Sequence, residues 1–238
     1  MATSDLIAKV AGYVEGEMSN YDASHDFEHI KRVVGCAHMI HSEIVATQPN
    51  HPELDLDLIT LSALLHDIGD RKYIKNGQDG TIMAYNLLLS LSAPAELAAK
   101  VQRIVNGVSY TNEIRNPSAV ASLVAEIPEL GVVQDADRLD AIGAVGIGRL
   151  FTYGGAKTER YMQSSMALIP LKLLKVEGAM KTQPGRRMAK ARTEQLKVFQ
   201  DWWNEDMKMG FRWEVPEGLG GSSRSSSDSD SSMEKVYL

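Results

Sequence analysis

All six histidines of this 238-residue chain, at positions 25, 29, 38, 41, 51 and 66, fall within its first 66 residues. Helical periodicity sorts them. At about 100° per residue, His29 shares a stripe with Arg32, Val33, Cys36 and Ile40, so it faces the interior of a bundle. His38 sits about half a turn away and is expected to face solvent, while His41 and His51 lack neighbours at ligand spacing and read as surface histidines. His66 is different. The run Leu58-Ile59-Thr60-Leu61-Ser62-Ala63-Leu64-Leu65 is apolar enough to be buried, and it delivers His66 and Asp67 side by side at its end. A buried carboxylate without a partner costs several kcal/mol, so Asp67 needs a cation, hydrogen bonds or a metal. Imidazole and carboxylate together suit a divalent ion such as Mn, Fe, Co, Ni or Zn, although for an isolated pair a hydrogen-bonded dyad at a helix end is the more ordinary reading.

A third segment, Val133-Gln134-Asp135-Ala136-Asp137-Arg138-Leu139-Asp140-Ala141-Ile142-Gly143, adds acidic side chains. Asp137, Ala141, Ala144 and Gly148 fall on one helical stripe whose small residues permit close helix approach. Asp137 heads that stripe and is poorly explained as a solvated charge. Asp135 points elsewhere and suits a capping role.

These three segments, in this order, resemble the HD superfamily of metal-dependent phosphohydrolases. The resemblance is carried by His29 in HDFEHIKRV (25–33), His66-Asp67 in LLHDIGDRKY (64–73) and Asp137 in QDADRLDAIGAVGIGRLFTYGG (134–155). It extends over about residues 1–205 and is sharpest for the small stand-alone branch, some of whose members are similar to nucleotide pyrophosphohydrolases. The resemblance implies an HD-type helical bundle with additional C-terminal helices. It makes His29, His66, Asp67 and Asp137 ligands of a divalent ion (Mn, Mg, Co, Ni, Fe or Zn), leaving positions on a six-coordinate metal for water and substrate. A bound ion would acidify that water and neutralise charge on phosphoryl oxygens.

Asp70 lies four residues after His66, where an acidic residue in related nucleotidases positions or deprotonates the attacking water; a cap or a pair with Arg71 is the competing reading. Arg32, Arg71, Lys72 and Arg138 adjoin ligand positions and could grip phosphate or serve as structural pairs, with Lys72 first among them. His25, one turn before His29, could contact substrate or support a ligand. One departure stands out. Where this branch usually carries a pattern like HFxEKL, the chain reads Leu168-Ile169-Pro170-Leu171-Lys172-Leu173, with Leu168 and Leu171 in place of the His and Glu. The implied activity is hydrolysis of a small phosphorylated substrate such as a nucleotide. Two alternatives are a metal-binding regulatory module with little or no turnover and, less well supplied with ligands, an iron oxygenase.

Positioning such a site falls to helices. Apolar periodicity marks one after Ser4, then others at about Asp26 to Thr47, Leu54 to His66, Gly80 to Leu91, Pro94 to Val108, Pro117 to Glu126, Val132 to Leu150 and Arg186 to Lys208. A polar loop is expected between Val108 and Asn116. Only Val120 to Val124 competes as a strand, and weakly, so the fold class is all-α. Residues 1–215 form one domain, and the Gly-, Ser- and Asp-rich 216–238 reads as a disordered tail.

Composition narrows the partners. The chain is 44% hydrophobic and 24% charged, normal for a globular protein. Its net charge of −6 argues against a nucleic-acid polymer, though not against a nucleotide. No run approaches the roughly 18–20 apolar residues of a membrane span, and Asp5, Lys9 and Glu15 interrupt any signal-peptide core. One cysteine, Cys36, forms no internal disulfide, which points to a reducing compartment: cytoplasmic, with a nuclear location open. Oligomeric state is not legible.

Overall fold

The computed structural model describes residues 3–19, 21–70, 74, 77–158 and 160–210. They form helices α1 Thr3–Met18, α2 Phe27–Thr47, α3 Leu56–Leu65, α4 Met83–Ser90, α5 Ala95–Val108, α6 Tyr110–Arg115, α7 Pro117–Glu126, α8 Glu129–Asp140, α9 Gly143–Lys157, α10 Met162–Met166, α11 Leu168–Leu171 and α12 Gln183–Gly210. Two 3₁₀ segments, Gly80–Ile82 and Leu173–Ala179, complete them, and no strand occurs among the described residues. No helix there is long and apolar enough to cross a membrane. Arg71, Lys72 and the tail 216–238 lie outside the described residues.

The central element is α3. Every residue from Leu58 to Leu65 is buried, as a helix apolar on all sides requires. It packs against α1, α2, α5 and α8, and α2 also lies along α8. The α1 stripe of Leu6, Val10, Val14 and Met18 closes one side of this core, and the α2 stripe of Ile30, Val33, Ala37, Ile40 and Ile44 closes another. Asp26 caps α2 by accepting from the His29 amide, and Asp55 caps α3 by accepting from the Asp57 and Leu58 amides. The long α12 lies across α8, α9 and α2.

Three expectations are corrected. The helix expected over Val132 to Leu150 is two helices, broken where Ile142 is extended and Gly143 takes φ +73°. A Cβ at Gly143 would stand 2.7 Å from Gln195 Oε1, so the reversal also lets α12 approach closely. The stripe headed by Asp137 therefore ends at Ala141, and Ala144 and Gly148 are exposed. The supposed polar loop after Val108 contains α6, capped by Ser109. His38 is half-buried rather than turned to solvent, its Nε2 lying 2.8 Å from Thr60 Oγ1 on α3.

Candidate metal centre

Four side chains from three elements meet beside the end of α3. His29 comes from the first turn of α2, His66 follows the last residue of α3, Asp67 follows His66, and Asp137 comes from α8. The two imidazole Nε2 atoms are 3.2 Å apart. Asp67 Oδ2 is 3.4 Å from His29 Nε2 and 3.6 Å from His66 Nε2, while Asp137 Oδ1 is 3.6 Å from both. His29, His66 and Asp137 offer ligand atoms that all lie within 4.8 Å of one another, and Asp67 joins them through its contacts with the imidazoles.

Hydrogen bonding on the far side of each ring decides what this side can do. His66 Nδ1 is 2.7 Å from the Ala63 carbonyl, so it must be the donor there. His29 Nδ1 is 2.8 Å from Asp140 Oδ2 and donates to that carboxylate. Both neutral rings then turn Nε2 lone pairs toward one another, an arrangement that needs a cation between them. Asp67 Oδ2 is buried and accepts no hydrogen bond, which adds an orphaned anion to the same point. Donors held at about 2.0–2.2 Å from one divalent ion stand roughly 3.0–3.6 Å apart, and the contacts above match that spacing. The residues fit a divalent metal.

Without one, a proton is the available substitute. Burial disfavours the charged imidazole of His66, yet the carboxylates of Asp67 and Asp137 outweigh it and push its pKa up to about 9. Burial likewise works against the Asp67 and Asp137 anions, and the imidazoles overcome it, holding both below the usual carboxylate range.

Behind the candidate ligands stands Asp140, a residue to which sequence reasoning gave no role. Besides His29, it accepts from Arg32 Nε and Nη2 at 2.7 and 3.0 Å and from Arg149 Nη1 at 3.2 Å. Burial opposes its charge, but the contacts with His29 and Arg32 dominate and lower its pKa. Asp140 lies three residues after Asp137, on the adjoining helical face, and that spacing was the available signal.

The remaining expected site residues sort differently. Asp70 lines the same cleft as Asp67 and Asp137, and its amide bonds to the Asp67 carbonyl at 3.2 Å. Arg32 is engaged by Asp140. Arg138 is buried, donating to Glu113 Oε2 at 2.5 Å and the Ala179 carbonyl at 2.9 Å. His25 is also buried, with its ring edge-on to His29 at 6.0 Å. Asp135 accepts from the Lys181 and Thr182 amides, each at 2.7 Å, just before α12 begins.

Two compartments open on either side of Asp137 and Ala141. The larger, about 660 Å³, is lined by Asp67, Asp70, Asp79, Asn106, Tyr110 and Arg138 among others. Gly69, at φ +87°, closes one edge against Gly80: a Cβ on Gly69 would stand 2.5 Å from the Gly80 carbonyl oxygen. The smaller, about 50 Å³, is reached by His25, Arg149, Tyr153, Arg160, Leu168 and Lys172. Arg149, Arg160 and Lys172 were not anticipated, because no spacing rule links them to the ligands. Of the two divergent positions, Leu168 is in this wall and Leu171 is 53% exposed.

The HD domain family matches residues 26–142, a span that includes His29, His66, Asp67 and Asp137. YpgQ of Bacillus subtilis is 30% identical over 187 residues, covering 77% of this chain and 85% of YpgQ. The crystal structure of YpgQ in complex with ADP superimposes with a TM-score of 0.65 at 31% identity, covering 84% of this chain and 97% of that one. An HD-superfamily hydrolase from Bacillus thuringiensis has a TM-score of 0.63 at 26% identity, covering 87% and 99% of the two chains. A predicted HD-superfamily hydrolase from an uncultured Thermotogales bacterium gives 0.56 at 25%, covering 84% and 92%.

Proposed function

The chain belongs to the HD domain family, and from that premise we propose that it is a metal-dependent phosphohydrolase acting on a nucleotide or a similarly small phosphorylated metabolite. One observation carries the reading: two imidazole lone pairs and the unpartnered Asp67 Oδ2 converge beside Asp137 at the floor of an open cleft. His29, His66, Asp67 and Asp137 would hold a divalent ion, whose bound chemistry is acidification of water and neutralisation of phosphoryl charge. The ADP bound by YpgQ supports a nucleotide as the ligand class here.

The protein's own groups divide the remaining work. Asp70, at the rim of the ligand set, orients the attacking water and accepts its proton on a carboxylate oxygen. Water oxygen bonds to phosphorus as the leaving oxygen departs with the P–O electron pair. Asp140 and the Ala63 carbonyl keep the two histidines in the tautomer that presents Nε2. Among the cations chosen from sequence, Arg32 and Arg138 act through the carboxylates they hold, and His25 borders the smaller compartment. Lys72 and Arg71 keep their proposed phosphate-binding role on sequence position alone.

A phosphate- and pyrophosphate-release screen on a panel of nucleotides and sugar phosphates, with Mn, Co, Mg, Ni, Fe and Zn in turn, tests this reading. Metal-dependent release from at least one nucleotide is expected. A protein that binds metal stoichiometrically yet releases nothing across the panel would be a binding module instead, the reading that Leu168 in the wall favours.

A further inference from the structure

The smaller compartment has a charge pattern that the hydrolytic reading leaves unused. Arg149, Arg160 and Lys172 reach it, against a single lining carboxylate, Asp137, which belongs to the metal set. Arg149 is anchored by the Ser24 carbonyl at 2.8 Å and by Asp140, but Asp140 is shared with Arg32, so one carboxylate offsets two guanidiniums. Arg160 is half-buried, and among the described residues its side chain makes no hydrogen bond or ion pair. Leu150, Leu168 and Leu173 supply hydrocarbon walls, which reduce screening of the charges they enclose. The larger cleft is more acidic: Asp67, Asp70, Asp79 and Asp137 line it with two guanidiniums, Arg115 and Arg138, of which Arg138 is taken up by Glu113. The balance of lining side chains favours an anion more on this side than on that one. Size agrees as well. At roughly 10–15 Å³ per water, about 50 Å³ holds around four waters, comparable to the four oxygens of a phosphate.

We propose that this compartment is an oxyanion subsite holding a phosphoryl group of the substrate, with Arg160 as its main anchor and Arg149 and Lys172 in support. The assignment rests on the phosphohydrolase reading for its ligand, but its test does not depend on turnover. Arg160 is the residue to change, since its guanidinium holds no other part of the fold together. Calorimetric titrations of the Mn-loaded full chain would compare wild type, Arg160→Gln and Arg160→Lys, at equal metal content by atomic emission. The probes are α,β-methylene-ADP and orthophosphate.

Loss of a charge-assisted contact should weaken the ADP analogue by at least about tenfold in Arg160→Gln, with partial recovery in Arg160→Lys. Unchanged analogue affinity in Arg160→Gln overturns the proposal. So does a loss confined to orthophosphate, which would mark a site for the free ion. The two readings fail separately. Arg160-dependent analogue binding without hydrolysis of any nucleotide sinks the hydrolase and keeps the subsite. Hydrolysis with Arg160-independent analogue binding does the reverse.

Discussion

The two compartments that meet at Asp137 are built by opposite means. The larger is acidic and open, and Asp67 and Asp70 reach it from the turn that follows a helix buried from Leu58 to its last residue. The smaller is cationic and narrow, with side chains drawn from α9, the residues around α10 and the segment after α11. On the acidic side, position is set by burial: α3 is packed on every side from Leu58 to Leu65 and cannot shift without disrupting that packing, which ties His66 and Asp67 to the core. On the cationic side, Arg149 is positioned by pairing, held between Ser24 and Asp140, whereas the Arg160 side chain has no such hold among the described residues. A metal centre tolerates little displacement, and the candidate one is placed by the core. A site for a substrate's charged group can be assembled from more adjustable parts.

Substitutions on the acidic side should break that contrast most sharply. Asp67→Ala removes the orphaned oxygen and should abolish stoichiometric metal binding and all metal-dependent turnover, while far-ultraviolet circular dichroism keeps its helical shape. Metal retained at one equivalent would remove Asp67 from the ligand set. Asp70→Asn preserves size and loses the proposed base. Turnover should fall by about 10² to 10⁴ with metal content and KM little changed, and near-normal kcat would reduce Asp70 to a turn residue. A smaller effect is expected behind the divide. Asp140→Asn weakens the support of His29, so metal affinity measured by competition with a chelator should drop about 10- to 100-fold. The same change removes the charge that Arg32 and Arg149 share, and the melting temperature should fall with it. An unaltered metal affinity would mean that packing alone orients His29.

Much of the acidic side was legible in the sequence, and the reason is periodicity. The apolar run before His66 could only be buried, and the stripe through Val33 and Ile40 turned His29 inward. Asp135 was placed as a cap, and it does receive the amides that lead into α12. The break at Ile142-Gly143 was missed because a glycine inside a helical pattern does not announce a positive φ; the close approach of α12 selects it. His38 was misjudged for a related reason. Half a turn from the core stripe does not mean solvent when a second helix supplies Thr60 at 2.8 Å. On the cationic side only His25 and Leu168 were singled out; Arg149, Arg160 and Lys172 were not, since they have no period in common and meet only through the return of the chain after α9.

From Asp135 to Asp140, six consecutive residues of α8 leave only Asp137 less than fully buried. Three of them are aspartates with three destinations: the start of α12, the ligand set and the back of His29. Random mutagenesis would find this stretch uniformly intolerant, yet for unrelated reasons at neighbouring positions. Selection for activity and selection for thermal endurance would return overlapping sets of forbidden substitutions there, and neither assay by itself could say which duty had been lost. Measuring both for every variant would separate them, with Asp137 expected to sacrifice activity while sparing the fold and Asp135 expected to lose the fold first. Such a segment has little room to drift, because almost any single step disturbs either the architecture or the chemistry.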